Sequence, residues 1–348
     1  MKEKLISLNV LRGVAAMLVV LYHMEVLQVS FISRLFTWGW IGVDIFFVLS
    51  GLFIGISVIK SKPWDTLKYL KRRYLRIAPA YYFSMLVLVA LASSYFLVTT
   101  NGITHIAVHL LFLHSFDARF HGSINGVYWT LGVEFMFYIL MALSYKIIQS
   151  DKKIYYYIAL WFVISWCWRA YCFYIVKADP MMMFIWTTQL PGMLDEFACG
   201  VLLAKLWITK RQIFENNFIG TFLLMSGLLI VSAFVFHVKH IGPQFWTSAS
   251  TVIFSRTFLA VGIVSVIASF IVFERNNIFV KLCHWSGFCY LGTISYSIYL
   301  YHLPIFLNIK NSLPLNNLGQ FWPGLISLIV ILGISALSYM LIEKRFYK

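Results

Sequence analysis

The sequence predicts an all-α polytopic membrane protein of about ten transmembrane helices with both termini in the cytoplasm. Three observations carry that expectation. Of the 348 residues, 61% are hydrophobic and only 12% are charged, with a mean hydropathy of +0.81, far more apolar than a soluble globular chain. Apolar segments long enough to cross a hydrocarbon core of about 30 Å recur along the whole chain. Lysine and arginine are dense in alternate connecting segments and sparse in the others, as the positive-inside rule requires of a multi-pass protein.

In chain order, the expected spans lie near residues 8–27, 40–59, 78–98, 128–147, 154–175, 189–207, 218–236, 256–273, 290–309 and 323–342. The first follows Lys2 and Lys4 and has the look of a signal peptide, but Arg12 within it and the lack of an A-x-A-like site behind it argue against cleavage. Residues 64–83, WDTLKYLKRRYLRIAPAYYF, form a cationic amphipathic stretch whose Pro79 is expected to mark the start of the following helix. The segment ITHIAVHLLFLHSF at 103–116 is apolar but too short to cross, so it is expected to lie at the interface or to re-enter. After the tenth span only EKRFYK remains, which predicts a single membrane domain over residues 1–348 with no soluble appended domain.

With the N-terminus inside, about twenty of the 28 basic residues fall in cytoplasmic segments. Arg34, Arg119, Lys177, Lys239, Arg256 and Lys310 are assigned to outer segments, and Arg12 and Arg169 to spans. The net charge of +15 is therefore read as topology and attraction to anionic membrane lipids, not as nucleic-acid binding. The five cysteines are odd in number, lie in or beside apolar segments and form no C-x-x-C pair, so no disulfide framework is expected.

Ionisable residues inside spans carry the functional reading. Arg12 and His23 are eleven positions apart, about 20° beyond three full turns, so they share one helix face about 16.5 Å apart along the axis. Arg12 then marks the inner end of the first span and His23 its outer third. Asp44, Glu134, Asp195, Glu196 and His302 are expected at a similar depth, with Arg169 on the fifth span. Such groups are costly in hydrocarbon, and their convergence implies a polar cavity opening outward. For Arg169 with Asp195 or Glu196 a structural ion pair is the better reading. For His23 with Asp44 or Glu134, a carboxylate orienting an imidazole is the arrangement that acid–base chemistry needs. Arg72, Arg73 and Arg76 place three guanidinium groups within five positions, either a positive-inside anchor or a clamp for phosphates. His105 and His109 have metal-ligand spacing but no third ligand pattern, so no metal is expected.

Taken together, R-x10-H in the first span, GVDIFFVLSG (42–51), the R-x-x-R of RRYLRIAPAYY, WTLGVEFMFY (129–138) and SYSIYLYHLP (295–304) resemble the acyltransferase-3 family of membrane acyltransferases over nearly the whole chain. The resemblance implies a ten-helix fold in a bacterial cytoplasmic membrane. It implies acyl-CoA, with acetyl-CoA foremost, as a donor bound from the cytoplasm, and a hydroxyl of a surface polysaccharide or lipid-linked sugar as acceptor. Carried over by position, Arg12, His23, Arg73 and Arg76 are the residues on which the family relies. Two routes stay open: His23 as general base, or an acylated His23 that passes the group on. The rival class is a transporter of lipid-linked saccharides. Paired Gly/Pro-interrupted segments are not evident, and a transporter has no need of an arginine clamp at one face.

Overall fold

A computed structural model describes residues 5–25, 36–91, 99–312 and 321–346, and every regular element among them is helical. Seven of the described helices are long and apolar enough to cross a membrane: Ile6–Met24, Ile41–Lys60, Thr66–Leu91, Lys153–Val176, Asn217–Ile241, Ala249–Phe273 and Gly324–Phe346. The remaining three expected spans also fall on helices. Trp129–Leu143 has only 15 residues, Leu190–Thr209 carries Asp195, Glu196 and Lys205, and Ser295–Ser312 carries His302 and Asn308. The ends of the expected first and third spans, at 26–27 and 92–98, lie outside the described residues, as do Lys2, Lys4, Arg34 and Lys348.

Two boundaries differ from expectation for identifiable reasons. The cationic stretch and the third span are one continuous helix, Thr66–Leu91, with Pro79 in its interior and not at its start. An interior proline costs roughly 3 kcal/mol. Here Ile77, Ala78, Ala80 and Tyr81 are buried around it, and that packing keeps the helix continuous across the proline. The sequence places the start of the eighth span at 256, but its helix starts at Ala249, two turns earlier, and carries Arg256 in its interior at 8% exposure. Arg256 is therefore a membrane-segment residue, not an outer-loop one.

The chain divides into two compact units. The first comprises Met1–Leu11, Asp44–Thr66 and Met136–Cys289. Its central helix, Leu190–Thr209, is buried nearly all round because it is apolar nearly all round. Phe197 stacks on Phe137 with ring centroids 3.9 Å apart. At Gly200 an added Cβ would stand 2.1 Å from the carbonyl oxygen of Val48, and at Gly51 2.3 Å from that of Phe197, so only glycine lets these two backbones meet. At the other end of the unit, the Glu274 carboxylate accepts from the main-chain N–H groups of Ile6 and Ser7 at 2.8 and 2.9 Å. It thereby satisfies two of the free donors that open the first helix.

The second unit comprises Arg12–Val43, Leu67–Phe135 and Tyr290–Lys348. Tyr81 and Tyr82 of the arginine-bearing helix donate to the carbonyls of His109 and Leu110, at 3.2 and 2.6 Å, and so fasten the Thr100–Leu110 helix. Phe112 follows in the left-handed region (φ 58°), and the reversal lays His114 on His109 with ring centroids 4.3 Å apart. The approach to the Glu134 helix is pinned to Ser295–Ser312 by three bonds. Asn125 Nδ2 donates to Leu300 O at 2.9 Å, Thr130 Oγ1 to Tyr299 Oη at 2.7 Å, and Tyr299 Oη to Val127 O at 2.7 Å. The Ser295–Ser312 helix is also tied to the arginine-bearing helix, where Tyr296 Oη donates to Ile77 O at 2.9 Å.

Candidate functional site

The second unit holds six of the seven residues expected to act: Arg12, His23, Arg72, Arg73, Arg76 and Glu134. Arg12 and His23 stand on the continuous Ile6–Glu25 helix, both half-buried, which preserves the shared face read from their spacing. His23 Nδ1 lies 2.9 Å from Val19 O and 3.3 Å from His302 Nε2. His302 Nδ1 in turn lies 2.8 Å from Tyr299 O and 3.1 Å from Ile298 O. Carbonyl oxygens only accept, so each Nδ1 carries the hydrogen. It follows that His302 Nε2 is an acceptor for His23 Nδ1–H, and that the lone pair of His23 is on Nε2. That tautomer is the one a general base requires, with the reactive nitrogen opposite the nitrogen that is held.

The arginines separate by exposure. Arg72 is exposed, whereas Arg73 and Arg76 are half-buried one turn apart on the same helix. Arg73 lies over the ring of the buried Tyr69, 5.4 Å from its centroid. Tyr69 is also an electrostatic neighbour of Glu134, as is Tyr299. Tyr299 meets the His302 ring at a centroid distance of 5.8 Å. A line of polar side chains, Arg73, Tyr69, Glu134, Tyr299, His302 and His23, thus runs within this unit from a guanidinium to the imidazole. Tyr69 and Tyr299 do not stand out in the sequence, because in a chain with 20 tyrosines their type and spacing carry no signal.

The seventh residue, Asp44, belongs to the first unit, where its Oδ1 accepts from Arg256 Nη1 at 2.6 Å. Arg169 grips Asp195 with two bonds, 2.9 Å to Oδ2 and 2.7 Å to Oδ1, which is the structural pair the sequence suggests. Glu196 sits beside Arg256, its Oε1 3.5 Å from Nη1.

The histidines of the 100–121 region are held by the backbone. His109 Nδ1 donates to His105 O at 2.7 Å and His114 Nε2 donates to Tyr128 O at 2.8 Å. Burial, reinforced by the adjacent His114, pushes His109 down to about 3, and burial pushes His114 down to about 4. His121 is likewise pushed down to about 4, by burial and then by His114. All three are neutral at pH 7. Among the described residues, no three His, Cys, Asp or Glu side chains are grouped so as to hold an ion.

Residues 5–340 match the family model described as "Acyltransferase domain". Among curated proteins, the chain is 28% identical, over 97% of its length, to a Bacillus subtilis protein provisionally named peptidoglycan O-acetyltransferase YrhL. It is 26% identical, over 99% of its length, to a Komagataeibacter xylinus protein provisionally named membrane-bound transacylase BcsY. It is 24% identical, over 98% of its length, to the peptidoglycan O-acetyltransferase OatA of Listeria monocytogenes. The chain spans 54% of the first relative, 83% of the second and 56% of the third. No solved structure matches it.

Proposed function

We propose that this chain, which belongs to the acyltransferase family, is a membrane O-acyltransferase that moves an acyl group, acetyl in the simplest case, from acyl-CoA to a hydroxyl of a cell-surface or lipid-linked saccharide. The observation that carries this reading is the pairing of His23 with His302 in the same unit as Arg12, Arg73 and Arg76. A base with a fixed tautomer and a set of guanidinium groups are the two parts that transfer from a phosphate-bearing thioester requires. Names of relatives that act on peptidoglycan support a saccharide acceptor. The proposed setting is a bacterial cytoplasmic membrane, crossed by ten helices with both termini inside.

In this reading Arg73 and Arg76 hold the phosphates of acyl-CoA at the inner face, with Arg12 beside them in depth. Arg73 is stiffened by its stacking on Tyr69, which reduces the freedom lost when a phosphate is gripped. Arg72, exposed on the same helix, contributes charge at the membrane surface. The pantetheine arm runs along the Arg12 to His23 face, and the thioester meets the imidazole. His23 Nε2 takes the proton of the acceptor hydroxyl as its oxygen attacks the thioester carbon. The C–O bond forms, the C–S bond breaks, and the imidazolium returns the proton to the CoA thiolate. His302 positions the ring through Nδ1, and Glu134, felt through Tyr299, stabilises the imidazolium. Asp44 is assigned to Arg256 and not to the base.

The test is transfer from radiolabelled acetyl-CoA by purified protein in detergent, without an ion gradient, scored together with donor binding. His23→Ala should bind donor almost normally and lose on the order of 10²- to 10⁴-fold in transfer. A folded His23→Ala protein that still transfers at the wild-type rate removes the imidazole from the mechanism. Substrate movement that depends on a gradient, with no transfer, would indicate a transporter.

A further inference from the structure

Four helices of the first unit, Ile41–Lys60, Lys153–Tyr171, Leu190–Thr209 and Ala249–Phe273, bring five ionised or ionisable side chains into its interior. Asp44, Arg169, Asp195, Glu196 and Arg256 are each at most 8% exposed. Asp195 is fully matched: Arg169 donates twice, Glu196 N–H donates to Oδ1 at 3.1 Å, and Thr257 Oγ1 donates to Oδ2. Asp44 takes one bond from Arg256 on Oδ1. Three atoms are left without a hydrogen-bond donor, Asp44 Oδ2 and both carboxyl oxygens of Glu196.

The charges do not balance either. Three carboxyl groups face two guanidinium groups, and arginine does not give up its proton in proteins. The other titratable group beside Glu196 is Cys199, on the same helix, and a cysteine thiolate would only add negative charge. Lys205, further along that helix, is committed to Asp151 at 2.6 Å. A surplus carboxylate with no exposure is strongly unfavourable unless it is paired or neutralised. Asp44 and Glu196 nevertheless come together at one guanidinium nitrogen, Arg256 Nη1 lying 2.6 Å from Asp44 Oδ1 and 3.5 Å from Glu196 Oε1. Two ionised carboxylates are both acceptors and gain nothing from such proximity. One hydrogen removes the surplus charge and supplies the missing donor together.

We propose that Asp44 and Glu196 form a proton-binding site within the membrane segments, the proton residing on Glu196 and donated to Asp44 Oδ2. The ligand is a proton taken from water. Arg256 holds the opposite edge of Asp44 and leaves Oδ2 as the receiving atom. Release of the proton to an external base would leave two adjacent carboxylates on one guanidinium, a state that loosens the contact between the Ile41–Lys60 and Leu190–Thr209 helices.

Infrared difference spectroscopy of the full chain in lipid nanodiscs at pH 7, on exchange from H₂O to D₂O, reads the proton directly. The wild type should show a carboxylic-acid C=O band that shifts on exchange. Glu196→Gln should lose that band yet unfold at the same temperature as the wild type, because the amide keeps a donor for Asp44 Oδ2. Asp44→Asn should lose it too, since two carboxylates then balance two guanidinium groups and Glu196 ionises against Arg256. A wild-type spectrum without the band, or a Glu196→Gln spectrum that retains it unchanged, overturns the proposal. So does a Glu196→Gln protein as destabilised as Glu196→Ala, which would mean that the ionised form was needed.

Discussion

Replacing His302 by leucine should slow acyl transfer without weakening donor binding. The perturbation is narrow: His302 is 1% exposed and lies within a helix whose carbonyls keep their main-chain partners, so its loss removes one acceptor from His23 Nδ1–H. In the ground state that bond is neutral and, at 3.3 Å and shared with Val19 O, contributes at most about 0.5–1.5 kcal/mol. As His23 takes the proton of the acceptor the donor becomes an imidazolium, and a charge-assisted bond is worth about 1.5–3 kcal/mol. Only the difference between the two states, about 1–1.5 kcal/mol, enters kcat, so at about 1.4 kcal/mol per tenfold in rate the expected loss is roughly 5- to 10-fold, with KM for acetyl-CoA unchanged. That is smaller than the loss on removing His23 itself. His302→Gln presents an amide oxygen to the same nitrogen and should recover most of the rate. The assay is steady-state transfer from labelled acetyl-CoA, with folding checked by gel filtration and thermal melting. A folded His302→Leu protein with wild-type kcat, or one in which KM alone changes, would refute the positioning role.

The remaining predictions concern the donor and the acid side of stability. Arg73→Ala and Arg76→Ala should each weaken acetyl-CoA binding, with lysine a partial substitute because it lacks the bidentate fork, whereas the exposed Arg72→Ala should bind nearly as wild type; equilibrium binding of labelled donor reads all three. The folded protein should lose stability as pH falls from about 6.5 toward about 4, because unfolded histidines bind protons near 6.5 while His114 and His121 in the fold resist until about 4 and His109 until about 3. Each costs up to about 3 kcal/mol at the acid end, and thermal melting in detergent from about pH 7.5 to about 4.5 should show a steep fall that flattens when His109 and His114 are both replaced by asparagine. A melting temperature indifferent to pH over that range would mean that these rings are not held neutral.

Much of the site is legible in the sequence because helical periodicity needs no partner: Arg12 and His23 share a face by arithmetic, and the structure keeps both on one helix. The pairing of His302 with His23 is not legible, because residues 279 positions apart are joined only by packing. Arg256 is misplaced by the sequence for a different reason. The polar run from Thr247 to Thr251 depresses the hydropathy window, which then opens the span where the third turn of the helix begins. The reading of Asp44 follows from that placement: with Arg256 assigned outside and Arg169 given to Asp195 or Glu196, an imidazole is the partner left for its carboxylate, whereas the structure pairs it with Arg256. Pro79 misleads in the opposite sense: its local preference to open a helix is overridden by the buried side chains on either side. The helices at 129–143, 190–209 and 295–312 are evident as apolar segments, although their length or polar content sets them apart from the other seven.

The two imidazoles leave the proton a dead end. On His302 the only hydrogen-bearing nitrogen faces Ile298 O and Tyr299 O, amide oxygens that accept a bond but do not take up a proton. A proton captured at His23 Nε2 can be shared inward as far as His302 Nε2 and no further. It has no exit through the helix behind, so it must leave by the door through which it entered. For a thioester reaction that restriction is useful, because the thiolate released at that same door is the base waiting to receive it.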